Sequence, residues 1–440
     1  MACLANLGAR VTPPTRIAVI GGGWAGLSCA VELTAQGLPV TLFEAAKHLG
    51  GRARRVDWQG IAIDNGQHIL IGAYREVLWL LNRLGCGDLL ERHPLSFDQP
   101  PHFRLALPRL PAPLHVALGL LTARGLDWRD KLAATRFIGA LKHQGYRLAA
   151  DCSVTELLDR HGQTMALCHH LWEPICLAAL NTPMHMASAQ LFCNVLRDSL
   201  GASRADSDIL LPRADLGRLM ADAASAFIQA RGGKLELGSR IDAIAHDTQG
   251  FHLSGRNEVF SHVVCASHPV QLPALLAHLP ELAPIAGLVA GYGYQPIQTL
   301  WLSFELDLEL NVPMLGLDRG PGQWLFDRSD LAPGLASVVI SAEGPHLAMS
   351  KQDLLGAVLG QLHQAVAALP ELRDYFLIAE KRATFAAVPN MQRPGNATAL
   401  PGLYLAGDYT QSDYPATLEA AVRSGAACAQ LILKQIETAH

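Results

Sequence analysis

Short apolar runs that alternate with glycine turns and amphipathic stretches mark out the elements of this chain. Residues 17–20 form a β-branched run typical of a buried strand, and glycines follow it directly. Apolar residues at helical spacing then run from Leu27 to Leu33, and Gly37 is suited to end that helix. Residues 38–43 form the next apolar run. The order strand, helix, strand predicts a βαβ unit with two parallel strands.

Similar patterns recur further along the chain. An amphipathic stretch begins at Leu210 and ends at Gly232-Gly233, which predicts a helix, and a strand carrying Ile241 is expected after it. Residues 262–265 and 403–406 are short apolar runs that predict two more buried strands. The alternation of strand and helix is typical of an α/β protein.

Two long segments separate these runs. Residues 95–205 have a largely helical and apolar pattern, with prolines at the predicted helix edges, and we interpret them as a cap. Residues 291–394 contain the runs QPIQTLWLSFE and ASVVISAEG, which predict the strands of a sheet beneath that cap.

Composition restricts the classes of function. The 440 residues are 50% hydrophobic and 17% charged, which indicates a globular protein of two or three domains. A net charge of -4 without a basic cluster argues against nucleic acid as a partner. The nine cysteines are scattered without a Cys-x-x-Cys pair, which favours a reducing cytoplasm over a disulfide framework. The opening MACLANLGARVTPPT is interpreted as a short lead-in rather than a secretory signal, and no apolar run is long enough to span a bilayer.

A G-x-G-x-x-G motif follows the first strand. Gly21 allows the tight turn, Gly23 allows a pyrophosphate to approach the backbone, and Gly26 allows the helix to pack against the strand. Glu44 lies 18 residues beyond Gly26, near the spacing of about 20 expected for a carboxylate that binds a ribose. An acid at this position disfavours NADP. Strand, helix and acid together predict a cofactor that contains ADP.

Two further motifs decide between FAD and NAD. Gly50-Gly51-Arg52-Ala53-Arg54 is a second glycine turn with two cations, and Gly407-Asp408 ends the apolar run near the C-terminus. With the first motif they resemble the pattern of the amine oxidase and carotenoid desaturase superfamily, in which the GGR turn lies along the FAD pyrophosphate and the Gly-Asp carboxylate binds the ribityl chain. The resemblance implies FAD as the cofactor and a Rossmann-like α/β domain that binds it.

In that superfamily the middle and the end of the chain return to the FAD domain. The resemblance therefore implies a discontinuous FAD-binding domain of residues 14–94, 206–290 and 395–440, a helical cap at residues 95–205 and an inserted mixed-sheet substrate domain at residues 291–394. The residues that it implies for FAD binding are Gly21, Gly23, Trp24, Ala25, Gly26, Glu44, Gly51, Arg52, Arg54, Ile241, Gly407, Asp408, Pro415, Ala416, Thr417 and Glu419.

No second dinucleotide motif is found. Gly291-Tyr292-Gly293 runs into a proline and Gly320-Pro321-Gly322 contains one, so both are interpreted as loops. NAD(P)H therefore has no predicted site of its own. An external electron donor for FAD is expected, and the sequence does not identify it.

A closer resemblance extends from about Arg16 to the C-terminus. Its segments are DNGQHILIGAYRE from Asp64, YQPIQTLWLSF from Tyr294, QWLFDR from Gln323, VVISAEG from Val338, EKRATFAAVPNMQRP from Glu380 and LAGDYTQSDYPATLEAAVRSG from Leu405. They are similar, in the same order, to the squalene-associated FAD-dependent desaturase family. The chain departs from that family at Tyr409, where tryptophan is usual, and at Ala420, where glycine is usual. The extra methyl of Ala420 narrows the space beside the implied flavin contacts of residues 415–425.

The resemblance implies reductive removal of the allylic hydroxyl of hydroxysqualene to give squalene, a step of hopanoid biosynthesis. An allylic alcohol ionises to a delocalised cation when an acid protonates the leaving oxygen, and reduced flavin can then deliver hydride from N5. Asp64 and His68 are the predicted catalytic proton donors, because the DNGQH segment packs near the flavin in the wider superfamily and burial raises the pKa of an aspartate. Alternatively, Asp64 caps a turn and His68 is a hydrogen-bonded core histidine.

Aromatic side chains are candidates for substrate binding, and a cluster of cysteines and histidines is a candidate for a metal site. Trp301, Trp324 and Tyr414 are predicted to bind the substrate and to stabilise a cation through their π faces, with core packing as the alternative. Cys168-His169-His170 with Cys176 matches no standard zinc spacing, and a helix would spread these residues over different faces. No metal site is therefore predicted.

Other functions remain open at this point. A polyprenoid desaturase, in which oxidised FAD accepts hydride, would use the same architecture, and a flavin-bearing lipid carrier would need no chemistry. An amine oxidase is a more distant alternative, since Lys351 and Lys381 are the only lysines of the second insertion and neither lies in a suggestive context. An apolar polyprenoid substrate predicts peripheral contact with the cytoplasmic membrane through the cap. Chain-length preference and oligomeric state are not specified by the sequence.

Overall fold

The computed structural model describes residues 15–201 and 203–439, so the predicted lead-in, apart from Thr15, lies outside the described residues. Helices follow the glycine turn, build the cap and close the chain. Numbered along the chain, they are α1 Trp24–Ala35, α2 Arg75–Arg83, α3 Leu114–Thr122, α4 Trp128–His143, α5 Val154–Arg160, α6 Met165–Leu167, α7 Glu173–Leu180, α8 Ala189–Leu196, α9 Asp222–Ala230, α10 Leu272–Leu275, α11 Ala283–Ala290, α12 Lys351–Ala365 and α13 Leu418–Ala439.

The strands of the described residues form two five-stranded sheets and several small ones. They are β1 Ile17–Ile20, β2 Val40–Glu44, β3 Arg55–Trp58, β4 Ile61–Asp64, β5 Leu70–Ile71, β6 Leu90–His93, β7 Ser96–Gln99, β8 Phe103–Ala106, β9 Ile209–Pro212, β10 Lys234–Leu237, β11 Ile244–Asp247, β12 Gly250–Leu253, β13 Val259–Phe260, β14 His262–Cys265, β15 Tyr294–Phe304, β16 Met314–Gly316, β17 Trp324–Asp327, β18 Leu335–Ser341, β19 Leu372–Phe385 and β20 Leu403–Leu405.

The first large sheet is parallel, in the order β10, β2, β1, β14, β20. Its central strand is buried on both faces: Ile17 and Val19 face the core that contains α1 and α13, whereas Ala18 and Ile20 face a core on the opposite side. A strand of this kind is apolar throughout, as its sequence is. Because all five strands run in the same direction, their carboxyl ends meet at one edge of the sheet, and the predicted cofactor motifs follow them there.

Two predicted elements differ from the structure. The helix expected from Leu210 begins later, with a π-helical turn at Gly217–Ala221 that continues into α9, because Ile209–Pro212 forms β9 and pairs with β5 and β6 instead. Long-range pairing here outweighs local helical spacing. The strand expected to carry Ile241 ends at Leu237, since Gly238 at φ +63° turns the chain, and Ile241 lies in the following loop.

The second large sheet has the order β16, β17, β18, β15, β19. All of its pairs are antiparallel rather than mixed as predicted, because β16, β17 and β18 follow one another as a meander. Leu354, Val358 and Leu362 of α12 cover one face. The other face carries Trp324 and Val339 toward a cavity. This sheet is called the substrate sheet below.

The cap contains α3 to α8 and also a hairpin, β7–β8, that the sequence pattern did not predict. Phe97 of the hairpin lies 5.5 Å, between ring centroids, from Trp324 of the substrate sheet. The eight cysteines of the described residues are free thiols. The parallel sheet takes strands from residues 17–44, 234–265 and 403–405, and the domain boundaries themselves stay a prediction.

Candidate cofactor and substrate cavity

The first glycine turn joins β1 to α1. Gly21 has φ +116°, and a Cβ on Gly26 would lie 1.9 Å from Gly21 O. Only glycine at both positions therefore lets α1 pack directly against the turn. A Cβ on Gly23, in contrast, would meet nothing closer than Gly51 Cα at 3.9 Å. Gly23 thus borders open space at the N-terminus of α1, where an anion is favoured.

The second glycine turn, residues 50–54, lies against the first. Gly50 N–H donates to Gly22 O at 2.8 Å. Gly50 and Gly51 have φ of +107° and +62°, which side chains rarely tolerate. Arg54 Nη1 donates to Gly51 O at 2.9 Å and closes the turn. The two turns therefore present mainly backbone to the space beside them.

A partly buried ion pair connects the second turn to the C-terminal motif. Arg52 Nη2 donates to Asp408 Oδ1 at 2.7 Å, and Arg52 Nη1 donates to Ala383 O at 2.7 Å. Burial works against the guanidinium charge, but Asp408 outweighs it and raises the pKa of Arg52. The pair fixes Asp408, which is 5% exposed, at the carboxyl end of β20. Residues separated by more than 350 positions in the sequence meet here.

Glu44 holds the backbone around the first turn. Its Oε2 accepts from Gly22 N–H at 2.7 Å and its Oε1 accepts from Ala46 N–H at 2.7 Å. The carboxylate also lines the cavity, together with Ile241. Its place at the end of β2, next to β1, is the one from which a carboxylate reaches a ribose in this type of sheet.

One cavity of about 850 Å³ joins the glycine turns to the substrate sheet. Its volume lies within the range of about 300–1,000 Å³ typical of cofactor and small-molecule sites. Beside the turns the wall is polar. Toward the substrate sheet and the cap the wall is more apolar, although Asn181, Ser341 and Thr384 also line it. Its apolar side chains include Ile69, Leu177, Ile297, Trp324, Phe326 and Val339.

Two buried hydroxyl groups in this cavity have no hydrogen-bond partner in the described protein, Ser267 Oγ and Tyr409 OH. Burial raises the pKa of Tyr409, so its hydroxyl stays protonated and can donate. An unsatisfied buried hydroxyl costs about 1–3 kcal/mol, which a polar ligand would recover. With the open face of Gly23 and the Arg52–Asp408 pair, these groups fit a dinucleotide cofactor such as the predicted FAD.

The structure brings most of the predicted site residues together. Those that line the cavity are Gly21, Gly23, Trp24, Ala25, Glu44, Gly51, Arg52, Arg54, His68, Ile241, Trp324, Gly407, Asp408, Ala416 and Thr417. The predicted residues that do not line it are Gly26, Asp64, Trp301, Tyr414, Pro415 and Glu419. Gly26 still shapes the first turn through its packing against Gly21.

Glu419 occupies a different place from the one predicted for a flavin contact. It is fully buried, and its carboxylate accepts from the backbone N–H groups of Glu76 and Val77 at 3.2 and 3.0 Å. Arg423 Nε also donates to it at 2.6 Å. Glu419 therefore caps α2 and joins that helix to α13, since an acid is stabilised at a helix N-terminus.

Two aromatic side chains that were predicted to contact the substrate, Trp301 and Tyr414, also lie outside the cavity wall. Trp301 is 0% exposed and packs with Trp58, Ile63 and Leu335 in a small core, where core packing replaces the predicted substrate contact. Tyr414 lies beside Arg423, with the guanidinium carbon 4.7 Å from the ring centroid. Of the three aromatic candidates, the cavity wall includes Trp324.

Asp64 lies behind the cavity wall rather than in it. It is 1% exposed, and its Oδ1 accepts from Leu216 N–H at 2.7 Å. Its carbonyl oxygen accepts from Trp301 Nε1 at 3.2 Å. Burial raises the pKa of Asp64 to about 7, although the Leu216 N–H and the positive charge of Arg328 oppose this. Asp64 therefore anchors the start of the segment whose residues 65–69 line the cavity.

His68 lies in the cavity wall itself. Burial, and then the charge of Arg52, lowers the pKa of His68 to about 4. The ring is therefore neutral near pH 7, and the imidazolium considered from the sequence is disfavoured in the ligand-free protein. A neutral imidazole still offers one N–H donor and one acceptor nitrogen.

Sequence reasoning missed Asn181 in the cavity wall. It ends α7 with φ +47°, and its Nδ2 donates to Thr384 Oγ1 at 3.0 Å while its Oδ1 accepts from Ala342 N–H at 2.7 Å. An asparagine directly after an apolar helix and before Thr-Pro is a helix-ending signal. That signal identifies the cap of the helix, but only the fold shows that Asn181 faces the substrate sheet.

Comparison with known proteins agrees with this arrangement. Residues 24–433 match the family model described as flavin containing amine oxidoreductase. The chain is 30% identical to a hydroxysqualene dehydroxylase of Rhodopseudomonas palustris, over 94% of this chain and 97% of that protein. It is 28% identical to one of Sinorhizobium fredii, over 97% and 100%. Among solved structures, cyclohexylamine oxidase from Brevibacterium oxydans superimposes with a TM-score of 0.70 at 18% identity, over 97% and 100% of the two chains.

Gly23→Ala is expected to separate cofactor binding from folding. The backbone at Gly23 has φ -75°, which alanine adopts, and its Cβ would point into open space, so the chain should fold normally. The methyl would occupy the approach to the N-terminus of α1 and should lower FAD affinity at least about tenfold. Flavin retained per chain after gel filtration measures this, with Gly360→Ala in α12 as the control. A Gly23→Ala protein that retains flavin like the control would contradict the assignment of the phosphate site.

Proposed function

Because the chain belongs to the family of flavin-containing amine oxidoreductases and groups within it with the hydroxysqualene dehydroxylases, we propose that it removes the hydroxyl of hydroxysqualene by reduction to give squalene. Membership of the family makes it a flavin-dependent oxidoreductase with FAD as its cofactor. The observation that carries the proposal is the single cavity that runs from the glycine turns to the apolar wall of the substrate sheet. Such a cavity suits a redox cofactor beside a hydrocarbon chain.

The two glycine turns, together with Glu44, Arg52 and Asp408, are the groups that would hold FAD. Bound in its fully reduced form, FAD would supply both the hydride that replaces the hydroxyl and the proton with which the oxygen leaves as water. The chain itself has to bind an apolar substrate, exclude water and stabilise the oxygen that leaves. Exclusion of water matters because water would capture an allylic cation before reduction.

The apolar part of the cavity wall binds the substrate and excludes water. Trp324 is 5% exposed and is held between the cavity and Phe97, with ring planes tilted by 44°. An indole face attracts a nearby cation by about 0.5–2 kcal/mol, and more when water is excluded. Trp324 is therefore the aromatic group that we assign to the positive charge of the ionising substrate.

His68 is assigned to the leaving oxygen. As a neutral ring in the cavity wall it donates an N–H hydrogen bond to the hydroxyl, which orients the C–O bond and stabilises negative charge that grows on the oxygen. Asp64 is a positioning residue, because its carboxyl and carbonyl groups fix the backbone that carries residues 65–69. This replaces the role of direct proton donor that the sequence suggested for Asp64.

The cap presents an apolar surface that suits loading from a membrane. α3 and the start of α4 expose Leu114, Leu118, Leu121, Trp128 and Leu132. The first three fall on one face of α3, at helical spacing. Residues 104–136 contain six lysines and arginines and two aspartates, of which Asp130 is buried. Apolar residues framed by cations are typical of binding to an anionic lipid surface.

Apolar packing links this surface to the cavity. Val116 and Leu120, on the inner side of α3, line a small crevice together with Phe97. Phe97 in turn contacts Trp324 of the large cavity. Within the described residues no helix has both the length and the apolar character needed to cross a bilayer. We therefore propose peripheral contact with the inner face of the cytoplasmic membrane through α3 and α4.

The reaction can be tested in a single anaerobic turnover. The flavin of the purified protein is photoreduced, hydroxysqualene is added, and flavin absorbance is followed together with extracted lipid by mass spectrometry. Reoxidation with an equal amount of squalene is expected. Bleaching of oxidised flavin by a polyprenoid would show a desaturase instead, and no redox change with either lipid would favour a lipid carrier.

The role of His68 predicts a difference between two substitutions. His68→Leu removes the donor and should lower kcat by about 10²-fold, whereas His68→Gln keeps an N–H donor and should stay within about tenfold of the wild type. With a pKa of about 4, His68 is neutral throughout pH 5.5–8, so its contribution to kcat should not change over that range. Exposed His278→Gln is the control. If the imidazolium were the acid, kcat would fall about tenfold per pH unit and both variants would be equally impaired.

If the cap contacts the membrane, negative charges placed on its apolar surface should prevent binding to vesicles. Leu121→Glu with Trp128→Glu places two carboxylates on the proposed surface and should abolish flotation with anionic phosphatidylglycerol vesicles, which the wild type should show. Leu306→Glu is the matched control, since Leu306 is 70% exposed but belongs to the substrate domain, outside the cap. The assignment would be contradicted if the double variant floated as Leu306→Glu does, or if the wild type did not float.

A further inference from the structure

Three histidines and one aspartate from three parts of the chain meet away from the glycine turns. His102 lies in the turn between β7 and β8, His169 and His170 lie between α6 and α7, and Asp318 follows β16. The cluster thus joins the hairpin and a helical turn of the cap to the substrate sheet. None of these side chains lines the large cavity.

The distances within the cluster are short. His169 Nε2 lies 2.8 Å from Asp318 Oδ1, and His102 Nε2 lies 3.9 Å from Asp318 Oδ2. One ligand atom from each of His169, His170 and Asp318 lies within 4.8 Å of the other two. In a tetrahedral zinc site with bonds of about 2.0–2.1 Å, ligand atoms are about 3.3 Å apart. The ligand atoms of His169, His170 and Asp318 would therefore have to adjust their spacing around a bound ion.

A π-helical turn explains why neighbouring histidines converge. Residues Cys168–Trp172 form a π-helix between α6 and α7, and the ring centroids of His169 and His170 are 4.7 Å apart. The sequence-based argument against a metal assumed a regular helix, which would separate these side chains, and it does not hold here. Insertions of this kind are frequent at functional sites. Cys176 is not part of the cluster, since it is buried and contacts Thr182 O.

A hydrogen bond occupies one of the two ring nitrogens of His170. Its Nδ1 lies 3.1 Å from Gln99 Oε1, an acceptor, so Nδ1 carries the proton and Nε2 keeps a free lone pair. Its ring stacks on Phe103 at 5.4 Å between centroids. A hydrogen bond that fixes the second nitrogen is typical of ligating histidines.

Charge and exposure also suit a cation. The Asp318 side chain is only 8% exposed, although its carboxylate faces His102 and His169. His169 is 53% exposed and gives access from solvent. Arg319 Nε lies 3.8 Å from Asp318 Oδ2 on a side chain that is 71% exposed and is free to turn away.

We propose that His169, His170 and Asp318, with His102 as the fourth ligand, bind a divalent transition metal ion of the Zn²⁺ class. Nitrogen ligands with one carboxylate are the donors that such ions prefer. The ion replaces the proton between His169 and Asp318 and ties the cap to the substrate sheet next to the Phe97–Trp324 contact. This is a structural tie, since all four positions are taken by side chains, and it does not depend on the proposed reaction.

The test is a calorimetric titration of ZnCl₂ into tag-free holoenzyme that has been treated with EDTA and dialysed. One ion per chain is expected, with a Kd on the order of 1 μM or below, and Asp318→Asn and His169→Gln should each weaken binding at least about tenfold. Zn²⁺ should also raise the temperature of flavin release in the wild type but not in these variants. His169→Gln alters an exposed residue, so it remains informative if Asp318→Asn folds poorly.

His278→Gln is the matched control, because His278 is exposed and lies outside the cluster. It should bind Zn²⁺ as the wild type does. His102→Gln tests the fourth ligand and should weaken binding without abolishing it. The proposal is overturned if the wild type shows no saturable binding, or if His169→Gln and Asp318→Asn bind Zn²⁺ as tightly as His278→Gln does.

Discussion

The close approach of two backbone turns at the carboxyl edge of the parallel sheet is the constraint on which the rest of the site depends. Gly21 and Gly26 leave no room for a Cβ, and Gly50 is hydrogen-bonded to the first turn through Gly22. Because side chains are absent there, the N-terminus of α1 opens onto free space at Gly23. The partly buried Arg52–Asp408 pair then ties the second turn to the end of β20. Three distant parts of the chain are therefore held together on one side of a single cavity.

The change from a polar to an apolar wall along this cavity decides which protonation states are available. Near the turns, backbone N–H groups and opposite charges satisfy the carboxylates of Glu44 and Asp408. Toward the substrate sheet such partners are few, so burial keeps His68 neutral and raises the pKa of Asp64 behind it. In water the pKa of Asp64 would be about 3.9 and that of His68 about 6.5. A site of this kind favours hydrogen bonding to a neutral substrate over binding of a charged one.

The cap has two faces with different tasks. Its inner side chains pack against the substrate sheet through Phe97 and Trp324, while its outer helices expose leucines and a tryptophan framed by cations. The histidine cluster lies where hairpin, π-helical turn and substrate sheet meet, and a metal there would hold the two walls of the cavity in a fixed relation.

The sequence by itself determined most strands of the parallel sheet, both glycine turns and a cofactor that contains ADP, because these depend on local patterns: buried β-branched runs, glycines at fixed offsets and an acid at the end of β2. The choice of FAD came from the resemblance to a known superfamily. The sequence pattern also indicated the helical cap. Only the tertiary structure decided that Asp64, Trp301 and Glu419 lie behind the cavity wall, that residues 209–212 pair as a strand, and that Asn181 faces the substrate sheet. The direction in which a side chain points, and what lies opposite it, is fixed by contacts between residues hundreds of positions apart. For the same reason, the convergence of His169 and His170 on Asp318 required the fold. The extra residue of a π-helical turn changes which side chains share a face, and the spacing rules for a regular α-helix do not predict this change.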